Sequence, residues 1–152
     1  MKFEHSVVVA APAAALFALT QDYGRRLEWD PFLKSAALVG GAREAGPGVR
    51  ALCVAHSGLA METEYVSFRP PGVCAVRMTR GPWFLGGFAG SWRFREEAPG
   101  RTRVSFTYQL RARPRWLGPL LGPVLARVFA RDTRRRLAAL KAAVEERGLL
   151  GV

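Results

Sequence analysis

A chain of 152 residues with 49% hydrophobic residues is long enough for one domain that buries about two thirds of its unfolded surface. No apolar segment approaches the roughly 18 residues of a membrane span, so we expect a single domain over residues 1–152 without one. The net charge of +11 would ordinarily indicate nucleic acid or an acidic membrane as partner. Only Lys2, Lys34 and Lys141 are lysines, so the other 20 of the 23 basic residues are arginines. Because a GC-rich coding sequence produces this bias, we attribute the charge to composition and do not expect nucleic acid binding.

The N-terminal segment predicts a strand that passes directly into a helix. Residues 3–10 contain the β-branched run Val7-Val8-Val9, and Pro12 suits the first turn of a helix, where its missing N–H would have no partner. Two elements that join aromatic and acidic residues follow, Asp22-Tyr23 and Trp29-Asp30-Pro31. This order of elements suggests a fold built around a cavity.

Cellular location and metal binding are constrained by a few residues. Glu4 and Pro12 interrupt what would otherwise resemble a signal peptide, so we expect a cytoplasmic protein. Cys53 and Cys74 fall in predicted strands without a histidine or cysteine at zinc-site spacing, and we interpret them as core thiols. We therefore predict no metal ion and no cofactor.

The middle of the chain predicts an antiparallel meander, because Gly and Pro turn motifs divide residues 40–100 into strand-length segments. The clearest strand runs from Thr102 to Arg111, where apolar and polar residues alternate. The residues predicted to face inward are Val104, Phe106, Tyr108 and Leu110 on this strand, Phe88, Trp92 and Phe94 on the strand before it, and Cys74, Val76 and Met78 on a third. Gly86 and Gly90 share the parity of Phe88, so they either enlarge a void or let the strand bend.

A long amphipathic helix is predicted from Pro123 to near Gly148. Apolar residues recur along it at intervals of four, four, three and four, which places Phe129, Thr133, Leu137, Leu140 and Val144 on one face. At about 1.5 Å per residue, its roughly 25 residues span about 38 Å, enough to cross a curved sheet. The prediction is therefore an α+β fold in which a curved antiparallel sheet of six to seven strands wraps around a long C-terminal helix, with two short helices after strand 1.

An apolar group precedes this helix on a different side, and arginines flank it. The group comprises Trp116, Leu117, Leu120, Leu121, Val124 and Val128. Ordinary packing against the first helix, at Leu16, Phe17 and Leu19, is the interpretation we favour. The alternative is a gate that contacts an anionic membrane surface.

Candidate catalytic residues are few. If Val66 and Phe68 face inward, alternation turns Glu62 and Glu64 toward the same space, where an unpaired carboxylate would be costly. A Glu64 with a raised pKa could act as a general base, but a one-residue bulge would direct it to solvent, and we favour a solvated or ion-paired Glu64. His5 and His56 are interpreted as surface residues.

The ordered set of motifs resembles the START-like (SRPBCC) superfamily, and within it the bacterial polyketide cyclase/dehydrase and lipid-transport group. The resemblance covers essentially the whole chain. The motifs are Val8-x-Ala-Ala-Pro12, Asp22-Tyr23, Trp29-Asp30-Pro31, Phe68-Arg69-Pro70-Pro71, Gly90-Ser91-Trp92-Arg93-Phe94, Gly100-Arg101-Thr102-Arg103-Val104 and Leu137-x-x-Leu140-Lys141. The resemblance implies a helix-grip fold with a hydrophobic tunnel between the sheet and the long helix, but no single activity.

Three functions follow as hypotheses. The first is binding or transport of a small hydrophobic ligand, such as a lipid, isoprenoid or polyketide-like molecule, with weak catalysis or none. Its predicted contacts are Val76, Met78, Phe88, Gly90, Trp92, Phe106, Tyr108, Phe129 and Thr133. The second is a polyketide cyclase or aromatase in which Glu64 and Tyr108 are the acid/base candidates. The third, which we favour least, is a module that binds RNA or ribosomes through outer-face arginines such as Arg77 and Arg103.

Overall fold

The computed structural model describes residues 1–151, in which a seven-stranded antiparallel sheet packs against one long helix. The strands are β1 (Lys2–Val9), β2 (Leu33–Leu38), β3 (Arg50–Ala55), β4 (Ala60–Arg69), β5 (Val73–Arg80), β6 (Leu85–Ala98) and β7 (Arg101–Ala112). The helices are α1 (Ala13–Gln21), α2 (Arg26–Trp29) and α3 (Gly118–Glu145), and a 3₁₀ turn at Arg115–Leu117 precedes α3. The predicted helix-grip architecture is confirmed.

The sheet order is β1-β7-β6-β5-β4-β3-β2, so the chain's first strand pairs with its last. Two ends of the sheet can be distinguished by what connects the strands. The proximal end carries α1 and α2 and the turn between β6 and β7. The distal end carries the turn at residues 81–84 and the segment 113–118 that leads into α3.

The core forms two clusters that lie toward these two ends. The proximal cluster joins α1, α2 and the C-terminal half of α3 to the sheet through residues that include Leu16, Phe17, Trp29, Tyr65, Trp92, Phe94, Val104, Leu137, Leu140 and Val144. The distal cluster consists of Leu85, Tyr108, Leu110, Ala112 and Leu125. Phe106 is only partly buried and packs against both clusters, so it marks the middle of the concave face.

Helix α3 begins at Gly118, five residues before the predicted start. Pro119 fits the first turn of the helix, where a backbone N–H would have no partner within the helix. Pro123 lies inside the helix and costs one backbone hydrogen bond. The predicted inner face is confirmed, because Thr133, Leu137, Leu140 and Val144 are buried.

The expected packing of the apolar group against α1 is wrong. Trp116 is 76%, Leu120 74% and Val124 54% exposed. Only Leu121 and Leu125 of this region reach the distal cluster. The early start of α3 explains the difference, because the first turns of the helix extend beyond the sheet at the distal end.

Strand β4 differs from the predicted alternation at a single residue. The pairing register with β5 shifts between Tyr65 and Ser67, so Val66 forms a bulge and is 57% exposed. Tyr65 therefore faces the core and Phe68 also packs against it, whereas the prediction that Val66 faces inward is wrong.

Candidate functional site

The concave face of the sheet carries a continuous row of aromatic rings under α3. We call Trp92, Phe106, Tyr108, Phe88 and Phe129 the aromatic row. Ring centroids are 5.0 Å apart for Trp92 and Phe106, 5.9 Å for Phe106 and Tyr108, and 5.7 Å for Phe88 and Phe129. Strands β6 and β7 position the first four rings by their alternation, and α3 contributes Phe129 from its inner face.

Burial varies along this row. Trp92 and Tyr108 are buried, whereas Phe88, Phe106 and Phe129 are only half-buried although they face the interior. Val76 and Met78 on the neighbouring strand β5 are half-buried as well. Inward-facing apolar side chains that remain partly accessible are available for contact with another molecule. We call the region that they line, between β5, β6, β7 and α3, the cleft.

Gly90 lies beneath the aromatic row, opposite Tyr108 in the register of β6 and β7. A Cβ atom at this position would stand 2.7 Å from Cζ of Phe106, closer than real contacts allow. The Phe106 ring thus fills the space that a side chain at position 90 would take, and no void remains there. Gly86 does not face the cleft, because the register shifts between Leu85 and Gly87 and turns Leu85 inward.

Tyr108 is the polar group at the centre of the cleft. Its hydroxyl lies 3.5 Å from Nε2 of His5 on β1, and burial raises the pKa of Tyr108 against the opposing effects of Thr133 and Arg134. Burial and the charge of Arg134 lower the pKa of His5. The imidazole is therefore neutral at pH 7, and the Tyr108 hydroxyl keeps its proton. The sequence signal that was missed is the alternation of β1, in which His5 shares the face of Phe3 and Val7.

Glu62 and Glu64 are held on the strand surface by cations. Glu64 Oε2 lies 2.9 Å from Arg77 Nη2, and Glu62 Oε1 lies 3.4 Å from Arg50 Nη1 and accepts a 2.7 Å hydrogen bond from Thr79. Neither carboxylate belongs to the aromatic row. The favoured ion-paired interpretation of Glu64 agrees with this geometry.

The outer-face arginines considered for nucleic acid are partly neutralised in the same way. Arg77 pairs with Glu64, and Arg103 forms two hydrogen bonds with Glu97, at 2.8 and 3.3 Å. These two arginines are thus not free to bind phosphates without losing a carboxylate partner.

A buried ionic cluster lies beside the proximal end of the row and was not predicted. Asp30 has a fully buried side chain and accepts hydrogen bonds from Nε of Arg26 at 3.0 Å and from Nη2 of Arg136 at 2.7 Å. The two guanidinium groups hold the pKa of Asp30 below its usual value despite burial. The Arg26 guanidinium also lies over the rings of Trp29 and Trp92, at 4.9 and 5.9 Å from their centroids. Trp92 therefore links this cluster to the aromatic row.

An apolar groove of about 330 Å³ opens at the distal end. It is lined by Trp83, Phe84, Leu117, Leu120, Leu121 and Leu125. Phe84, Leu121 and Leu125 pack in the distal core cluster together with Phe88 and Phe129, so the groove is continuous with the packing of the cleft. None of the helices in residues 1–151 is long and apolar enough to cross a membrane.

Comparison with known proteins matches residues 1–145 to the family described as polyketide cyclase / dehydrase and lipid transport. No curated protein matches the sequence. Among solved structures, the Zhui aromatase/cyclase from Streptomyces sp. R1128 is similar at a TM-score of 0.82 and 22% identity, over 97% of this chain and 94% of that one. A START superfamily protein from Mycobacterium smegmatis is similar at a TM-score of 0.80 and 15% identity, over 95% and 97% of the two chains.

The di-domain aromatase/cyclase BexL of the BE-7585A biosynthetic pathway is similar at a TM-score of 0.79 and 19% identity. The alignment covers 95% of this chain and 46% of BexL, so the chain spans about half the length of that protein. At these identities the structural likeness establishes the fold, while the family match over residues 1–145 establishes membership. The chain belongs to the family described as polyketide cyclase / dehydrase and lipid transport.

Proposed function

We propose that the protein binds a small hydrophobic molecule, such as a lipid, isoprenoid or polyketide-like compound, in the cleft between the sheet and α3. The observation that carries this proposal is the half-buried state of Phe88, Phe106, Phe129, Val76 and Met78, which face inward yet remain accessible. If a ligand covers about 200 Å² of this surface and buries an equal area of its own, the gross gain is roughly 10 kcal/mol. Association and ordering costs reduce this gain, and the remainder is compatible with micromolar binding.

A substitution that fills the cleft tests the proposal. Val76→Phe adds a ring at a half-buried inward position that pairs with Gly90, whereas Val66→Phe adds the same ring on the exposed bulge of β4. Native mass spectrometry of the purified proteins and titration with N-phenyl-1-naphthylamine measure the outcome. We expect the parent and Val66→Phe to retain a co-purifying apolar molecule and to bind the naphthylamine probe. Val76→Phe should bind the probe at least tenfold more weakly. Equal binding by both variants would place the ligand elsewhere.

A cyclase or aromatase acting in the same cleft is the second candidate function. The observation that favours it is the protonated Tyr108 hydroxyl facing a neutral His5 at 3.5 Å within the aromatic row. Such a pair could donate a proton to a carbonyl oxygen and accept one from an adjacent carbon. Glu64 has no part in this version, because it pairs with Arg77 outside the cleft.

Tyr108→Phe separates the two candidates, because it removes a hydroxyl and keeps the ring in the row. A carrier should bind the naphthylamine probe as before, within about twofold. A cyclase should lose at least about a hundredfold in turnover of a poly-β-ketone substrate, in line with the usual contribution of a general acid or base. Cyclisation at the uncatalysed rate by the parent protein would remove the enzyme candidate.

Contact with an anionic membrane belongs to the same proposal, because a hydrophobic ligand would be taken up from a membrane or delivered to one. Trp116, Leu120 and Trp83 are the most exposed large apolar side chains in residues 1–151, at 76%, 74% and 71%, and all three lie at the distal end. Trp83 and Leu120 line the distal groove. A tryptophan pair beside an apolar helix face is the composition of an interfacial membrane contact.

The charge at the distal end indicates the charge of the membrane that it would bind. No Asp or Glu occurs between Glu64 and Glu96 or between Glu97 and Asp132, the two stretches that supply Trp83 and Trp116. Arg80, Arg113, Arg115 and Arg127 are exposed there, and none forms an ion pair with a carboxylate of residues 1–151. Each arginine near an anionic surface contributes about 1 kcal/mol. The occupant proposed for this end is therefore an anionic bilayer.

A further inference from the structure

The buried ionic cluster contains two cationic side chains and one carboxylate. Asp30 is the single carboxylate between Arg26 and Arg136, so the three side chains carry a net charge of +1. Asp30 also accepts the backbone N–H of Phe32 at 3.1 Å, which saturates its oxygens with donors. A structural ion pair would require only one of the two arginines. Arg26 is 5% and Asp30 2% exposed, whereas the Arg136 side chain is 24% exposed and reaches solvent.

Hydrogen-bond donors are in surplus at the same place. The Arg26 guanidinium donates from Nε to Asp30 and from Nη1 to the carbonyl of Thr20, and its Nη2 donates no hydrogen bond within residues 1–151. The indole Nε1–H of Trp29 is fully buried and has no acceptor in the described part of the chain. Burying a donor without an acceptor is costly, so an unpaired donor in a native core points to a missing partner.

The surrounding side chains supply neutral donors and apolar walls. The Tyr65 hydroxyl donates to Oε1 of Gln21 at 2.5 Å and therefore turns its proton away from Tyr23, whose hydroxyl is 3.5 Å distant. Burial raises the pKa of both tyrosines, so both keep their protons at neutral pH. Tyr23 is half-buried and lies under the Arg26 guanidinium at 5.6 Å from its ring centroid. The site thus places N–H and O–H donors beside a positive charge.

We infer that Arg26, Trp29 and Tyr23 form a subsite for an anionic oxygen group, a carboxylate or an enolate, at one end of an otherwise apolar ligand. The inference rests on the proposed function and names the class of its ligand. Trp92 lies between this subsite and the rest of the aromatic row. Its ring centroid is 5.9 Å from Cζ of Arg26 and 5.0 Å from the ring centroid of Phe106. The apolar body of the ligand lies along the aromatic row, and its oxygens reach past Trp92 to the indole N–H and the guanidinium.

The test compares two probes of nearly equal shape and different charge. 2-Naphthoate carries a carboxylate where the neutral 2-acetonaphthone carries a methyl ketone. Hydrogen bonds to a charged acceptor are stronger than those to a neutral one, so we expect naphthoate to bind at least tenfold more tightly by calorimetry. In proton–nitrogen spectra the Trp29 indole signal should move downfield with naphthoate, because its N–H gains an acceptor.

Variants that each remove one donor give the matched comparison. Trp29→Phe deletes the orphan N–H, Tyr23→Phe deletes the half-buried hydroxyl, and Trp116→Phe deletes an exposed indole at the other end of the molecule. The preference for naphthoate should fall about tenfold in Trp29→Phe or, if that variant does not fold, in Tyr23→Phe, and persist in Trp116→Phe.

The outcomes also separate this inference from the function on which it rests. Equal binding of both probes, or bound naphthoate with an unmoved Trp29 indole signal, would overturn the anionic subsite and leave the apolar cleft intact. Failure of both probes to bind at millimolar concentration would overturn the cleft and the subsite together.

Discussion

Replacement of Asp30 by asparagine is expected to lower the free energy of unfolding by about 3–5 kcal/mol, the usual consequence of removing one partner from a buried ion pair. The Asp30 side chain is fully buried and receives the guanidinium groups of Arg26 and Arg136. Without its charge, Arg26 remains in the core with no counter-ion. Because Arg136 belongs to α3 and Arg26 to α2, the substitution also loosens the long helix from the proximal end.

Urea unfolding followed by circular dichroism measures this effect, and Asp22→Asn is the matched control. Asp22 is exposed and accepts only the backbone N–H of Gly24, a role that the amide oxygen of asparagine can take over. We expect the control to change stability by less than about 0.5 kcal/mol. A change for Asp30→Asn as small as that of the control would show that the two arginines are stable without the carboxylate.

The dependence on pH follows from the lowered pKa of Asp30 in the folded state. The stabilisation is fully present above the ordinary carboxyl value of 3.8 and is lost as pH falls from there through the folded pKa. The difference between the parent and Asp30→Asn should therefore be constant from pH 5 to 7 and shrink in more acidic solution. A difference that grows toward low pH would contradict the assigned sign.

Long regular patterns made most of the fold predictable. In β7 the alternation of Val104, Phe106, Tyr108 and Leu110 continues for a whole strand without interruption, so one register satisfies every residue. The inner face of α3 was equally clear, because an error of one residue would expose Leu137 and Leu140 together. The same periodicity predicted which side chains of these elements face inward.

Features that depend on one residue or on distant partners were not predictable. The bulge at Val66 changes which residues of β4 face the core on its two sides. No neighbouring residue in the sequence indicates that a bulge occurs there. Asp30 and Arg136 are 106 positions apart, and Arg136 reads as one more cation in an arginine-rich helix. The orphan N–H of Trp29 depends on the packing of the entire proximal cluster, so only a three-dimensional structure could reveal it.

Loss of the two exposed tryptophans at the distal end should abolish most binding to anionic vesicles. Trp83 and Trp116 are 71% and 76% exposed, and embedding part of each ring in the interface contributes at least about 1.4 kcal/mol. The double variant Trp83→Ala/Trp116→Ala should therefore bind vesicles of 30% phosphatidylglycerol about a hundredfold more weakly in cosedimentation, with an unchanged melting temperature. High salt should weaken the parent as well, because it screens Arg80, Arg113, Arg115 and Arg127 from the surface.

Two leucines give the matched control for the position of this contact. Leu120 is 74% exposed at the distal end, whereas Leu27 is 50% exposed on α2 at the proximal end. Leu120→Ala should weaken vesicle binding several-fold and Leu27→Ala should leave it unchanged, because Leu120 lines the distal groove beside Trp83 and Leu27 does not. Equal losses for the two variants, or binding to phosphatidylcholine vesicles that matches binding to anionic ones, would mean that the proposed surface does not govern the interaction. If instead the contact is confirmed, the ligand would enter between the membrane and Phe84, Leu121 and Leu125, where the distal groove meets the packing of the cleft.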